Sequence, residues 1–163
     1  MSLSMEQLRM ELLPYAADAA SILKAQCPWV EFTSASRDWF SQAHAMAVNT
    51  LNARQIGNWN WLAQVYRNFP ELQSWVDSHP HVVTRQDMTE GLFHTMQALP
   101  DDRRLRFAHP ARRAFDLLPP DNPEKDSELI MRVKVLPKIE RFLTNEGGLR
   151  IYHAQFRPLT EDV

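Results

Sequence analysis

From Met5 onward, apolar residues recur every three or four positions: Met5, Leu8, Leu12, Ala16, Ala19 and Leu23 fall on one side of a helix. Ser4, with Gln7 three residues on, makes a capping box ahead of that face. Pro14 lies inside the pattern and predicts a kink or a split into two helices, and Cys27-Pro28 ends the unit. The same period resumes from Thr33 or Ser34, through Trp39, Ala43, Met46, Ala47 and Leu51. After Gly57, Asn58 can cap a third helix carrying Trp61, Leu62, Val65, Tyr66 and Phe69. Pro70 suits the first turn of a short fourth, with Leu72, Trp75 and Val76. Thr84 and Asp87 open a fifth, whose face is Met88, Leu92, Thr95, Met96 and Leu99, and Pro100 closes it.

Beyond Pro100 the texture changes. Residues 101–117 predict one or two short helices, the second starting at Pro110, and the proline-rich stretch 118–126 reads as a loop. Period-two patterning occurs only in the last forty residues or so. Met131, Val133 and Val135 alternate with Arg132 and Lys134, which predicts a strand. Pro137 to Leu143 predicts a two-turn helix ended by Gly147-Gly148, and Leu149, Ile151 and His153 predict a second strand. Two strands are not stable alone, so they must pack on helices or borrow strands from elsewhere in the chain. The expected fold is α+β and predominantly α-helical, with five or six helices followed by a C-terminal strand–helix–strand unit. A single globular domain over 1–163 is expected, with a helical body at 1–100, a proline-rich loop at 118–126 and a small β-containing segment at 127–158.

Composition supports a packed core: 44% of the 163 residues are hydrophobic, and five Trp and eight Phe supply large apolar surfaces. The net charge of −2 gives no whole-chain attraction to nucleic acid or to an anionic membrane. Arginine outnumbers lysine fourteen to four, a bias that suits bidentate recognition of carboxylate or phosphate. Cys27 is the only cysteine, so an internal disulfide and a Cys-based zinc site are excluded. The N-terminal stretch interleaves charged and apolar residues, and no apolar run approaches the roughly 20 residues a bilayer requires. A cytoplasmic setting is the expectation by elimination.

The strongest local feature is the run 103–113. Arg103, Arg104, Arg106, Arg112 and Arg113 surround Phe107 and His109 with no acid among them. Such a run could grip phosphates through its guanidinium groups and stack a base on Phe107, with Arg132, Lys134, Lys138 and Arg141 extending the patch. The simpler account is a solvated stretch neutralised by Asp101, Asp102, Asp116 and the acidic residues of the following loop. His79-Pro80-His81 has a spacing that strand-borne metal sites use, but Asp77, Asp87 and His94 stand at no recognised distance from it, and a turn is the simpler account. No metal or other cofactor is expected. Asp101-Asp102 and Glu161-Asp162 read as a helix start and a tail rather than as paired catalytic carboxylates.

Cys27 reads as a buried structural thiol. No nucleophile elbow, P-loop, dinucleotide fingerprint or zinc-protease motif occurs. Arg37 with His44, and Arg103 or Arg104 with His109, echo the Arg/His pairs of helical toxin-type ribonucleases, a match so small that random placement yields about one or two, and no family is claimed. Trp59 and Tyr66 fall partly off the apolar face of their predicted helix and could anchor a protein partner. The favoured expectation is therefore a non-enzymatic interaction protein (adaptor, inhibitor or assembly subunit), with a homo-oligomer among the possible arrangements. Phosphate or nucleic-acid binding through 103–113 is the first alternative. A metal-independent His/Arg nuclease is the second, and it requires at least two of His44, His79, His81, His94 and His109 to converge.

Overall fold

The computed structural model describes residues 2–158, so the Glu161-Asp162 pair lies outside the described residues. The class is α+β and mostly helical, as the periodicity predicts. The backbone contacts divide into two compact units that interleave along the chain: Met1–Ser36, Ala108–Thr144 and Ile151–Val163 form the first, Arg37–Phe107 and Asn145–Arg150 the second.

The first unit opens with α1 (Met5–Glu11), where Ser4 and Gln7 complete the capping box in both directions. Pro14 splits the helical pattern by serving as the first residue of α2 (Pro14–Gln26), where its missing N–H costs nothing. A four-stranded antiparallel sheet follows in pieces: β1 (Phe32–Ser34), β2 (Ala114–Leu117), β3 (Ile139–Leu143) and β4 (Tyr152–Phe156), in the order β1-β2-β4-β3. The last helix of this unit spans Pro123–Lys134.

Four expectations are corrected here. The helix expected from Thr33 or Ser34 begins only at Trp39, where the Asp38 carboxylate accepts the Ser41 N–H; residues 32–34 are instead edge strand β1. The 118–126 stretch is a loop only as far as Asn122, whose side chain caps the Pro123–Lys134 helix by accepting from the N–H groups of Glu124 and Lys125. The Met131/Val133/Val135 alternation is therefore helical: Leu129, Val133 and Leu136 point inward while Met131 and Val135 are exposed, an i, i+4, i+7 stripe that the alternation masked. Residues 139–143 form β3 instead of a helix, after a turn at 137–138 in which Lys138 adopts φ 61° and interrupts any helical run. The C-terminal order is thus helix, strand, strand.

One face of the sheet presents Phe32, Phe115, Leu117, Tyr152, Ala154 and Phe156 to the three helices, where Leu8, Leu12, Leu23, Leu129 and Val133 complete a closed apolar core. Each such side chain contributes about 1.5–3 kcal/mol by leaving water. Cys27 belongs to this core, and burial pushes its thiol up from the usual value, as an inert structural residue requires.

The second unit is helical. It comprises α3 (Trp39–Gln55), α4 (Trp61–Val65), α5 (Pro70–Ser78), α6 (Arg85–Gln97) and α7 (Asp101–Arg104); the Pro123–Lys134 helix is then α8. Ala43, Met46 and Ala47 of α3 and Met88, Leu92 and Met96 of α6 are fully buried, on the faces their spacing predicts. Thr84 caps α6 by accepting from the Asp87 N–H. Arg103 holds α7 to α5 through a two-pronged pair with Glu71, one prong at 2.9 Å, and donates to the Asn68 carbonyl at 2.8 Å. That pairing holds the Glu71 carboxyl down at about 2. No helix among the described residues is long and apolar enough to cross a membrane.

Two predictions follow from these contacts. Gly147 sits at φ 58° with its α-carbon against Trp61; an added Cβ would lie 2.2 Å from Cδ1 of that ring, which is 1% exposed and donates its Nε1–H to the Glu146 carbonyl. Gly57 has φ 83° with open space around it. Both Ala substitutions pay the left-handed backbone cost of about 1–2 kcal/mol, and Gly147→Ala should lose about 1–3 kcal/mol more through overpacking. Equal losses for the two variants in urea denaturation would refute the Trp61 contact. Because the folded-state pKa of Glu71 lies below its ordinary value of 4.5, the pair stabilises the fold above that value and its contribution fades as pH falls toward about 2. Glu71→Gln should therefore be less stable than the parent at pH 7, with the gap closing by pH 2–3; a gap that is the same at both ends would rule out the linkage.

Candidate metal centre

Opposite its apolar core face, the sheet of the first unit carries a polar group. Asp116 on β2 and His153 on β4 are directly paired across the strands, so their side chains project from the same face. Ser34 on β1 is the partner of Asp116 on the other side. His109 reaches this group from the turn before β2. Pro110 and the left-handed Arg112 (φ 62°) bend the chain there, and the Arg112 N–H closes the turn on the His109 carbonyl at 3.0 Å. The Arg112 guanidinium donates to the carbonyls of Met10 and Glu11, while its own carbonyl accepts from the Leu13 N–H. No helix starts at Pro110, contrary to the sequence expectation; the segment turns and enters β2.

The geometry is compact. Asp116 Oδ1 lies 3.2 Å from His109 Nε2 and 3.0 Å from His153 Nδ1, and the two nitrogens are 3.2 Å apart. Asp116 Oδ2 accepts a hydrogen bond from Ser34 Oγ at 2.6 Å. His109 Nδ1 makes a short contact with the Ala35 carbonyl, which can only accept, so this nitrogen carries a proton and, in the neutral ring, Nε2 presents a lone pair. His153 Nε2 faces Gln155 Oε1 at 3.3 Å and likewise acts as donor, which leaves Nδ1 with a lone pair. The side chains of His109, Asp116 and His153 are 5%, 14% and 13% exposed, so water relieves little of the resulting crowding of negative charge.

Three electron-rich atoms thus converge on one point. A single proton can bridge only one of the three contacts and leaves another lone pair facing the carboxylate. One metal ion satisfies all three. Ligand atoms at the usual metal distances lie about 3.0–3.4 Å from each other, the edge of an octahedron or a tetrahedron, and the three separations here fall within that range. Among the described residues this is the group of three His, Cys, Asp or Glu side chains whose ligand atoms lie close enough together to share one ion.

The sequence does not reveal this group: of the five histidines whose convergence a nuclease would require only His109 belongs to it, and His153 stands in the pattern only as a strand residue. The other four belong to the second unit: His44, His81 and His94 are exposed, and His79, its ring 6.1 Å from that of His81, stacks on Trp75 with Nδ1 against the Trp75 carbonyl. The one available signal was the strand pattern around Asp116 (Ala-Phe-Asp-Leu), a polar residue on a short apolar run. Nothing local could reveal that His153 lies opposite it.

The arginines of 103–113 are used within the fold. Arg103 pairs with Glu71, Arg104 with Asp101 and Gln97, Arg112 with backbone carbonyls, and Arg113 with Glu140 and the Phe156 carbonyl. Arg106 also has an interaction partner. Phe107 offers no free stacking face, because it is 3% exposed and stacked on Phe69 at 4.1 Å. Of the extending residues, Arg132 pairs with Glu128 and Lys138 lies over the Tyr15 ring, while Lys134 and Arg141 are exposed. Of the two expected anchors, Trp59 is exposed with the Arg54 guanidinium 4.7 Å above its ring. Tyr66 is half-buried, accepts from Gln42 at its hydroxyl and packs against Trp61 and Phe107. A pocket of about 470 Å³ in the second unit includes Trp75, His94, Glu71 and Arg103, and its two charges already bind each other. In comparisons with known proteins, no family model, no curated protein and no solved structure matches this chain.

Proposed function

We propose that this protein binds one divalent transition-metal ion through His109 Nε2, Asp116 Oδ1 and His153 Nδ1. The observation that carries the reading is the convergence of three lone-pair atoms, 3.0–3.2 Å apart, on side chains whose remaining polar atoms are already committed to the protein. Two imidazoles and a carboxylate suit zinc, iron, nickel, cobalt or copper, and fit magnesium and calcium poorly, since those prefer oxygen throughout. Three protein donors leave at least one coordination position for water or another small ligand, the arrangement of reactive rather than closed structural centres. The chemistry such a centre supplies is polarisation of a bound oxygen. An adaptor role through Trp59 rests on one exposed ring already covered by Arg54, and a phosphate-binding role rests on arginines that already have partners.

The test is a titration of the metal-free protein with zinc, cobalt, nickel, magnesium and calcium salts, read by calorimetry and by the visible spectrum of the cobalt form. One equivalent of zinc or cobalt should bind, with magnesium and calcium at least a hundredfold weaker. At a free-metal concentration of a hundred times Kd the fold should gain about 2.7 kcal/mol. Asp116→Asn, His109→Gln and His153→Gln should each weaken binding about a hundredfold or more. Zinc binding that survives the triple substitution, or no binding at micromolar protein, would refute the reading.

A further inference from the structure

The two histidines are held differently, and the difference points to a further residue. His109 is backed by a main-chain carbonyl, that of Ala35, which no side-chain substitution at that position removes. His153 is backed by a side chain, Gln155, two residues along the same strand. An amide can present either its oxygen or its nitrogen. Here Gln155 donates its Nε2–H to Glu140 Oε2 at 3.0 Å, which turns the amide oxygen toward His153 Nε2. Glu140 is in turn fixed by Arg113, whose Nη1 donates to the same carboxylate oxygen at 3.1 Å and to the Phe156 carbonyl at 2.9 Å. Arg113 is 6% exposed, so this end of the chain is anchored.

The direction of these bonds has a chemical consequence. With the amide oxygen toward it, His153 carries a proton on Nε2, and in the neutral ring Nδ1 presents its lone pair toward Asp116 and His109. With the amide reversed, an N–H would face Nε2, the proton would move to Nδ1, and that nitrogen could not serve as a ligand. The backing is also neutral, because the charge of Glu140 is met by Arg113 one step away. A neutral acceptor leaves the imidazole a weaker donor than a carboxylate would, and so a more electron-poor metal.

We infer that Gln155, oriented by Glu140 and Arg113, is a positioning residue that fixes the Nε2–H form of His153 and thereby selects Nδ1 as the metal-binding atom. This inference rests on the metal-binding reading for its purpose, but the tautomer itself can be observed without metal.

The experiment combines two measurements on the full chain: long-range nitrogen–proton NMR of the histidine rings in metal-free protein, and cobalt titration. The parent should show His153 protonated on Nε2. Gln155→Leu should lose that preference and bind cobalt 10–100-fold more weakly with an altered visible band, while melting within a few degrees of the parent. Gln155→Glu, which restores an acceptor, should recover affinity to within about tenfold of the parent with its own shifted band. Glu140→Gln should show the Leu effect in part. An Nδ1–H form in the parent, or a Leu variant with unchanged tautomer and affinity, would overturn the positioning role even if metal binds. An Nε2–H form that depends on Gln155 in a protein that takes up no cobalt would support the positioning role and refute the metal-binding reading alone.

Discussion

Two antiparallel strands place Asp116 directly opposite His153, and most of what is distinctive about this chain depends on that register. Cross-strand partners have β-carbons only about 4.5–5.5 Å apart, so a carboxylate and an imidazole in this position must interact. Neither can turn away. The carboxylate's second oxygen is engaged by Ser34, and the imidazole's second nitrogen by Gln155. A slip of one residue in either strand would send its own polar side chain into the apolar core and bring Leu117 or Tyr152 to the other face. The hydrophobic demand of the core therefore enforces the geometry of the polar group.

The sheet thus does two jobs, one on each face. Phe32, Phe115, Tyr152 and Phe156 are almost wholly excluded from solvent against α1, α2 and α8. The alternate residues of β2 and β4, Asp116, His153 and Gln155, carry the hydrogen-bonded group, joined by Ser34, which a register shift in β1 brings opposite Asp116. Strands are stiff, and a constellation built on them is held more closely than one built on loops. The one contributor from a turn, His109, is compensated by unusual anchoring: Arg112 ties that turn to the end of α1 through three backbone carbonyls, and the His109 ring is itself fixed by the Ala35 carbonyl.

This gives the arginine-rich run a physical explanation that needs no external anion. Its first half belongs to the second unit, where Arg103 joins α7 to α5 through Glu71. Its second half builds the site: Arg112 shapes the turn that delivers His109, and Arg113 fixes Glu140 and with it Gln155. Guanidinium groups suit such work because their five donors can satisfy several carbonyls and a carboxylate at fixed angles. The density of arginine in eleven residues reflects internal connections, the longest of them Arg112 to carbonyls about a hundred positions away in sequence.

Local sequence was sufficient wherever a short-range signal decides the structure. The capping box at Ser4, the split at Pro14, the cap at Thr84 and the buried faces of α3 and α6 follow from hydrogen-bonding chemistry and helical period within about ten residues. It was insufficient where two periods compete over a short span. Met131, Val133 and Val135 alternate like a strand, yet the cap at Asn122 and the burial of Leu129, Val133 and Leu136 make them helical; residues 139–143 look helical, yet β4 supplies them with a pairing partner. The candidate centre lay wholly beyond such signals. His109, Asp116 and His153 span forty-four residues, and their meeting depends on a strand pairing that is settled only when the chain closes its core. The sequence determined that the chain would be helical, aromatic-packed and free of disulfides; tertiary structure alone decided which polar residues would face one another, because that choice is made by register and not by composition.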